Sequence, residues 1–285
     1  MAQTVKIISD STCDLSKDLL EKYDISILPL HILLGETEYR DGVDITPEEI
    51  FRWSDENKTT PKTSAPSMTE AMEVMKPFLD EGREIICFSI SDSMSTSGNV
   101  MRLAAEELEA SDKVTVINSA NLSTGIGLQV IQAALLSAEG KTRAQITATI
   151  EEIRPRVRAS FTVDTLTYLY RGGRCNAVAA LAGTMLKLHP RIVVEDGAMD
   201  ASKKYRGKLS SVILSYTKDM EDDLKNAVPD RVFITHSGCD REIVESVRSY
   251  LESLGIFNEI LETRAGGVIS SHCGPGTLGV LFIEK

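Results

Sequence analysis

Short apolar runs alternate with helical patterns through the first half of this 285-residue chain, and each run ends in small polar residues. Residues 5–9, 25–34, 85–90 and 114–118 read as buried strands, the second of them broken by Pro29. Residues 16–22 and 68–79 read as helices. Thr46-Pro47-Glu48-Glu49 is a capping box with proline at the first helical position, which predicts helix over residues 50–55. Alternation of this kind predicts an α/β fold whose mainly parallel sheet carries flanking helices on both faces. In such sheets ligands sit beyond the carboxyl ends of the strands. The ends here are Ser9-Asp10-Ser11-Thr12, the serine-rich stretch 89–97, and Asn118-Ser119-Ala120-Asn121. Each alone reads first as a cap for the next helix. Three at neighbouring strand ends point to a cleft.

The pattern changes beyond Arg154-Pro155-Arg156-Val157-Arg158, which follows a helical stretch over 144–153. Short strands are predicted at 160–163, 192–195, 232–235, 258–262 and 279–283, with helical segments at 178–187, 209–227 and 241–254. This reads as a second α/β domain with a mixed or antiparallel sheet, so residues 1–157 and 158–285 form the expected domains.

Two segments carry the candidate chemistry. Ser270-Ser271-His272-Cys273-Gly274-Pro275-Gly276-Thr277 places a histidine in a glycine-flanked turn before the last apolar run, at the expected edge of a strand. Far upstream, Thr63-Ser64-Ala65-Pro66-Ser67 sets three hydroxyls around a proline. Ser91-Asp92-Ser93-Met94-Ser95-Thr96-Ser97-Gly98 supplies a second cluster after a predicted strand. Clusters of hydroxyl donors suit an anion.

Composition narrows the function. A net charge of −11 disfavours a nucleic-acid partner or an anionic membrane surface. No apolar run approaches the roughly 18 residues of a membrane helix, and Met1-Ala2-Gln3-Thr4 has neither basic nor apolar signal character, so a cytoplasmic protein is expected. The five cysteines, Cys13, Cys87, Cys175, Cys239 and Cys273, form no CxxC pair, which predicts reduced thiols, no disulfide framework and no structural zinc. Cys273 beside His272 reads as a packed side chain before it reads as a nucleophile.

Other motifs reduce to structural roles. Gly274-x-Gly276-x-x-Gly279 spells a dinucleotide fingerprint with no following helix, and Gly140-Lys141-Thr142 lacks the first glycine of a phosphate loop. A Gly-x-Ser-x-Gly elbow is missing, although Ser95 and His272 could still form a dyad in space, which keeps a serine-dependent acyl hydrolase or transferase as an alternative. Asp10, Asp14, Asp41 and Asp44 read as solvated turn formers rather than metal ligands. Lys203-Lys204-Tyr205-Arg206-Gly207-Lys208 reads as an exposed turn or, more sharply, as a docking patch for an acidic partner or phosphate. Gly172-Gly173 reads as a helix stop, with Arg174 beyond it facing a helix end or a ligand.

In order and spacing, these segments resemble the DegV family, the fatty-acid-binding proteins that serve bacterial fatty acid kinase. The resemblance rests on Ser9-Asp10-Ser11-Thr12-Cys13-Asp14-Leu15, Tyr39-Arg40-Asp41-Gly42-Val43-Asp44-Ile45, Thr63-Ser64-Ala65-Pro66-Ser67, the 91–98 cluster, Gly172-Gly173-Arg174, Lys203-x-x-Arg206-Gly207 and His272-Cys273-Gly274-Pro275-Gly276. It implies a two-domain α/β fold with a long-chain fatty acid between the domains, presented to a separate fatty acid kinase that feeds phospholipid synthesis. Thr63 and Ser95 are the implied carboxylate donors, with Ser64, Thr96 and His272 beside them. Arg174, Arg206 and Lys204 are the implied head-group or kinase-docking cations. The resemblance implies no catalytic residue, no metal and no cofactor besides the bound lipid. Two departures stand out: Ala65 where the family commonly has Gln, and Met94-Ser95-Thr96-Ser97 where it has Leu-Ser-Gly-Thr. The second leaves open whether Ser93 or Ser97 shares the contact with Ser95.

Overall fold

The computed structural model describes residues 5–175 and 188–285. The helix expected over 178–187 and the first four residues lie outside them. The first half is built on a four-stranded, all-parallel sheet in the order β2-β1-β6-β7, with β1 Val5–Asp10, β2 Ile25–Leu28, β6 Glu84–Ser89 and β7 Val114–Asn118. All six residues of β1 are buried, as a central strand covered on both faces requires. The twofold periodicity of the strands divides their side chains between two cores. Val5, Ile7, Ile86 and Phe88 enter the larger core, which runs on into the second half of the chain. Ile8, Ile85 and Cys87 face a smaller one on the other side.

The helices among the described residues begin with α1 Lys17–Lys22, α2 Pro47–Asn57, α3 Met68–Asp80 and α4 Ser97–Glu107. The box at Thr46 forms as expected, its Oγ1 accepting from Glu49 N while the Glu49 carboxylate accepts from Thr46 N. A second box joins Ser67 to Glu70 at the start of α3, so the last serine of the Thr63 segment is a helix cap. Then come α5 Thr124–Ala138 and α6 Arg143–Ile153. The sequence reading assigns no element to α5. Eleven of its 15 residues are buried, and a helix covered on all sides shows no amphipathic period.

A single strand over 25–34 is not what forms. Pro29, which has no N–H to donate, marks a change of sheet. β2 pairs with β1, whereas β3 His31–Leu34 joins β4 Thr37–Arg40 and β5 Lys62–Ser64 in a three-stranded antiparallel sheet. β5 carries Thr63.

The second half is a six-stranded mixed sheet in the order β10-β9-β8-β13-β11-β12, with β8 Val157–Thr162, β9 Leu188–Glu195, β10 Ala198–Arg206, β11 Arg231–Ser237, β12 Glu259–Arg264 and β13 Thr277–Ile283. Only the β11–β12 pair is parallel. Its helices are α7 Thr167–Gly172, α8 Leu209–Lys218, α9 Glu221–Lys225, α10 Arg241–Leu254 and α11 Gly267–Cys273. The helical segment expected over 209–227 is thus two helices. We propose to set the domain boundary just before Val157, where the first strand of this sheet begins.

Three further expectations change. The basic stretch at Lys203 is no turn but the end of edge strand β10, paired with β9 from Lys203 opposite Arg191 to Arg206 opposite Leu188. His272 does not sit at a strand edge. It lies in the last turn of α11, and Gly274 at φ 76° then redirects the chain into β13. Asp10, Asp14 and Asp41 are not solvated: they are 0%, 5% and 2% exposed, and each accepts hydrogen bonds from distant segments of the chain. Asp44 alone keeps the expected surface role, pairing with Arg40.

Candidate functional site

A cavity of about 510 Å³ lies between the two halves, within the range of roughly 300–1,000 Å³ usual for small-molecule sites. Six of the implied site residues line it, Thr63, Ser64, Ser95, Thr96, Arg174 and His272, and so does Ser93. Its remaining walls are largely apolar, with Leu30, Ile90, Met94, Leu122, Met199, Val268 and Ile269 drawn from both halves. Lys204 and Arg206 do not reach it. Both are exposed on β10.

The hydroxyls sort themselves by their partners. Ser97 Oγ donates to Asp10 at 2.9 Å, and Ser93 Oγ donates to the Gly197 carbonyl at 2.5 Å, tying this loop to the β9–β10 turn. Ser95 Oγ accepts from Ser97 N at 3.2 Å, and among the described residues no acceptor takes its proton. Ser95 is therefore the serine of this cluster free to donate into the cavity. Asp10 sets the loop's position, also accepting from Ile90 N at 2.9 Å and from Thr12. Burial raises the Asp10 carboxyl above its ordinary range despite these donors.

Also on the cavity wall, Thr63 Oγ1 lies 2.8 Å from His272 Nε2. Burial, helped by the positive charge of Arg174, lowers the imidazole to about 4, so the ring is neutral at physiological pH. Its Nδ1 is buried without a partner. A lone pair is less costly to leave unmatched than an N–H, so the proton belongs on Nε2, facing Thr63. Thr63 then accepts from the imidazole and keeps its own proton for a ligand. The unmatched nitrogen faces Gly172, where any Cβ would collide with it. The Gly172-Gly173 pair therefore has two jobs: close packing at Gly172, and a left-handed cap at Gly173 with φ 65°. Arg174 is exposed beyond that cap, its guanidinium donating to the Gly172 carbonyl. The imidazole's hydroxyl partner is thus Thr63 rather than Ser95.

A second, small cavity of about 30 Å³ shares Leu122, Ile269 and Cys273 with the first and leads deeper, toward Phe161 and Leu281. Its walls include several hydroxyl residues, yet their oxygens bond to the protein. Thr235 meets Thr124 at 2.6 Å and Thr263 at 3.1 Å, Ser160 meets Tyr216 at 3.0 Å, and Thr277 donates to the Cys273 carbonyl. A polar sequence thereby lines an apolar end. Cys273 borders both cavities, and burial raises its thiol far above the ordinary value, so it acts as a packed side chain.

Sequence reading missed Leu30, Leu122, Met199, Val268 and Ile269 as wall residues, and misjudged Asp10, Asp14 and Asp41. For Asp10 the available signal was its place at the end of a fully buried strand. Among the described residues no group of three or more His, Cys, Asp or Glu could hold a metal ion, and no helix is long and apolar enough to cross a membrane.

These features define an α/β protein with a cavity between its two halves, lined by apolar side chains, hydroxyls, a neutral imidazole and the charged Asp92 and Arg174. The chain belongs to the DegV family: the profile described as "Uncharacterised protein, DegV family" matches residues 4–285. A DegV domain-containing protein of Caldanaerobacter subterraneus is 30% identical over 285 residues, covering 99% of this chain and 100% of its own. Among solved structures, a fatty-acid-binding DegV family protein from Thermus thermophilus superposes with a TM-score of 0.91 at 31% identity, covering 99% of this chain and 100% of its own. A stearic acid-binding protein from Eubacterium ventriosum gives 0.85 at 32%, covering 99% and 98%.

Proposed function

We propose that this protein binds a long-chain fatty acid in the interdomain cavity and presents its carboxylate to a separate kinase for conversion to acyl phosphate. The observation that carries the reading is that Thr63 and Ser95, each with a hydroxyl proton to give, line one cavity together with apolar side chains from both halves of the chain. The fatty acids bound by the related Thermus and Eubacterium proteins support it.

Energetics suit a carrier. A chain of about fifteen methylenes, at about 0.8 kcal/mol each, contributes on the order of 10 kcal/mol before ordering costs. Each hydrogen bond to the carboxylate adds about 1.5–3 kcal/mol and fixes its orientation. Neutral hydroxyl donors hold the head group, while Arg174 on the cavity wall has its guanidinium donating to the Gly172 carbonyl. Ser64 and Thr96 add further hydroxyls to the cavity lining. Exposed Arg174, with Lys204 and Arg206 further out, suits docking of an acidic kinase surface. The kinase supplies ATP and metal in the cytoplasm, and this chain supplies no catalytic group.

Native and denaturing mass spectrometry of protein purified from bacteria tests the reading. Co-purification of one fatty acid per chain, released on denaturation, is expected. A protein that leaves lipid-free and fails to take up added oleic acid overturns it. A serine-directed fluorophosphonate that labels Ser95, together with turnover of an acyl ester, would establish a hydrolase instead.

A further inference from the structure

The short helix α11 supplies Val268, Ile269, His272 and Cys273 to the cavity wall, yet its own segment provides no cap. Its N-cap is Gly266, which has no side chain. The first backbone N–H groups of a helix need acceptors from elsewhere. Here two buried carboxylates from the other half of the chain provide them: Gly266 N donates to Asp14 Oδ1 at 2.8 Å, and Gly267 N to Asp41 Oδ1 at 2.7 Å. Both glycines permit this approach. A Cβ at 267 would lie 2.5 Å from Ile32 Cδ1 and 2.8 Å from Ile50 Cδ1, and one at 266 would press on Asp14 at 3.1 Å.

The second oxygen of each carboxylate holds another wall. Asp41 Oδ2 accepts from Ser11 Oγ at 2.8 Å, and Ser11 Oγ in turn accepts from the backbone of Leu30 at 3.1 Å. Asp14 Oδ2 accepts at 2.6 Å from Ser123 Oγ, next to Leu122. Ser123 is buried with φ 51° and ψ −144°, a backbone strain that persists only where its surroundings enforce it. Leu30 and Leu122 both line the cavity.

We propose that Asp14 and Asp41 are the positioning residues of the head-group site, gripping the start of α11 so that His272, at its other end, meets Thr63. This inference rests on the fatty-acid reading for its ligand, but the placement of His272 does not. From Gly267 to His272 the helix rises only about 7.5 Å, so a shift at its start passes directly to the imidazole. The carboxylates gain nothing in packing that an uncharged side chain of the same shape would lack, and burying charge opposes folding.

Asp41→Asn tests the idea. It keeps one acceptor oxygen, removes the charge and turns an amide group toward Ser11. The expected result is an unchanged or higher urea midpoint, a displaced His272 imidazole nitrogen NMR signal in lipid-free protein, and about tenfold weaker binding of cis-parinaric acid, a fluorescent fatty acid. In a His272→Gln background the same substitution should weaken binding by several-fold less, because the route through the imidazole is gone and only the hold on Leu30 through Ser11 remains. Equal weakening in both backgrounds, or an unmoved His272 signal, overturns the proposal. Should Asp41→Asn fail to fold, Ser11→Ala removes the donor to Asp41 together with the acceptor of Leu30 N, and its effect on the His272 signal is read in the same way. If wild-type protein binds no cis-parinaric acid, the fatty-acid reading fails on its own, while the His272 signal still decides the positioning role.

Discussion

Thr63 and His272 stand 209 residues apart in the chain and meet at 2.8 Å between Oγ1 and Nε2. A neutral imidazole that donates to the threonine leaves the hydroxyl proton pointing outward, so this contact turns an ambidextrous group into a committed donor.

Thr63→Val keeps the shape and removes the donor. Binding of cis-parinaric acid should weaken by about 10- to 100-fold, the equivalent of one charge-assisted hydrogen bond, whereas Thr63→Ser should stay close to wild type. Ser95→Ala should weaken binding to a similar degree, and Ser93→Ala much less, because Ser93 already spends its proton on Gly197. Equal losses from Ser93 and Ser95 would refute this division of labour.

Gly172→Ala should act at a distance from the lipid. Its backbone lies outside the left-handed region, so alanine is conformationally tolerated, but the new methyl group would collide with His272 Nδ1. Fatty-acid binding is expected to drop by about tenfold while far-ultraviolet circular dichroism stays unchanged. Retention of full affinity would show that the imidazole can move without consequence.

The pH dependence of stability should carry a His272 signature. Its folded-state value, about 4, lies below the ordinary 6.5, so below 6.5 the unfolded chain takes up a proton that the folded one refuses. Its contribution is complete above pH 6.5 and is lost as pH falls toward 4. Urea midpoints of wild type and His272→Gln should therefore converge across that window, and parallel curves would contradict the assignment.

His31 titrates in the opposite sense. Burial alone would lower it, but the Glu38 and Glu70 carboxylates, at 2.7 and 2.9 Å, outweigh that and raise it above 6.5. The tie it makes between the three-stranded sheet and the start of α3 is complete below 6.5 and fades as pH rises through the raised value. Hydrogen exchange over β4 and β5, corrected for the intrinsic rate, should accelerate on passing above that value in wild type. His31→Gln should remove the dependence.

Much of the secondary structure was legible because its signals are local. The helix Arg241–Leu254 follows from its apolar stripe, the start of α2 from Thr46, Pro47 and Glu49, and the first strand from five consecutive residues that read as buried. The six cavity-lining candidates were legible as hydroxyls, a histidine and an arginine in short polar segments. Pro29 was visible as a break, but nothing near it in the chain tells that β2 and β3 enter different sheets. Helix α5 escaped notice because burial on all sides erases the contrast between its faces.

The order of residues alone was enough for the α/β class and for the clustering of hydroxyl side chains in short polar segments, since strand periodicity and capping depend on neighbours a few positions away. Folding in space decided which of those side chains were left to act. Ser97 is taken by Asp10, Ser93 by Gly197, and Ser95 remains. Asp14 and Asp41 look like surface turn residues until Gly266 and Gly267 arrive from the far end of the chain to claim them. A hydrogen bond depends on distance in three dimensions, and that distance is set by the packing of the whole chain.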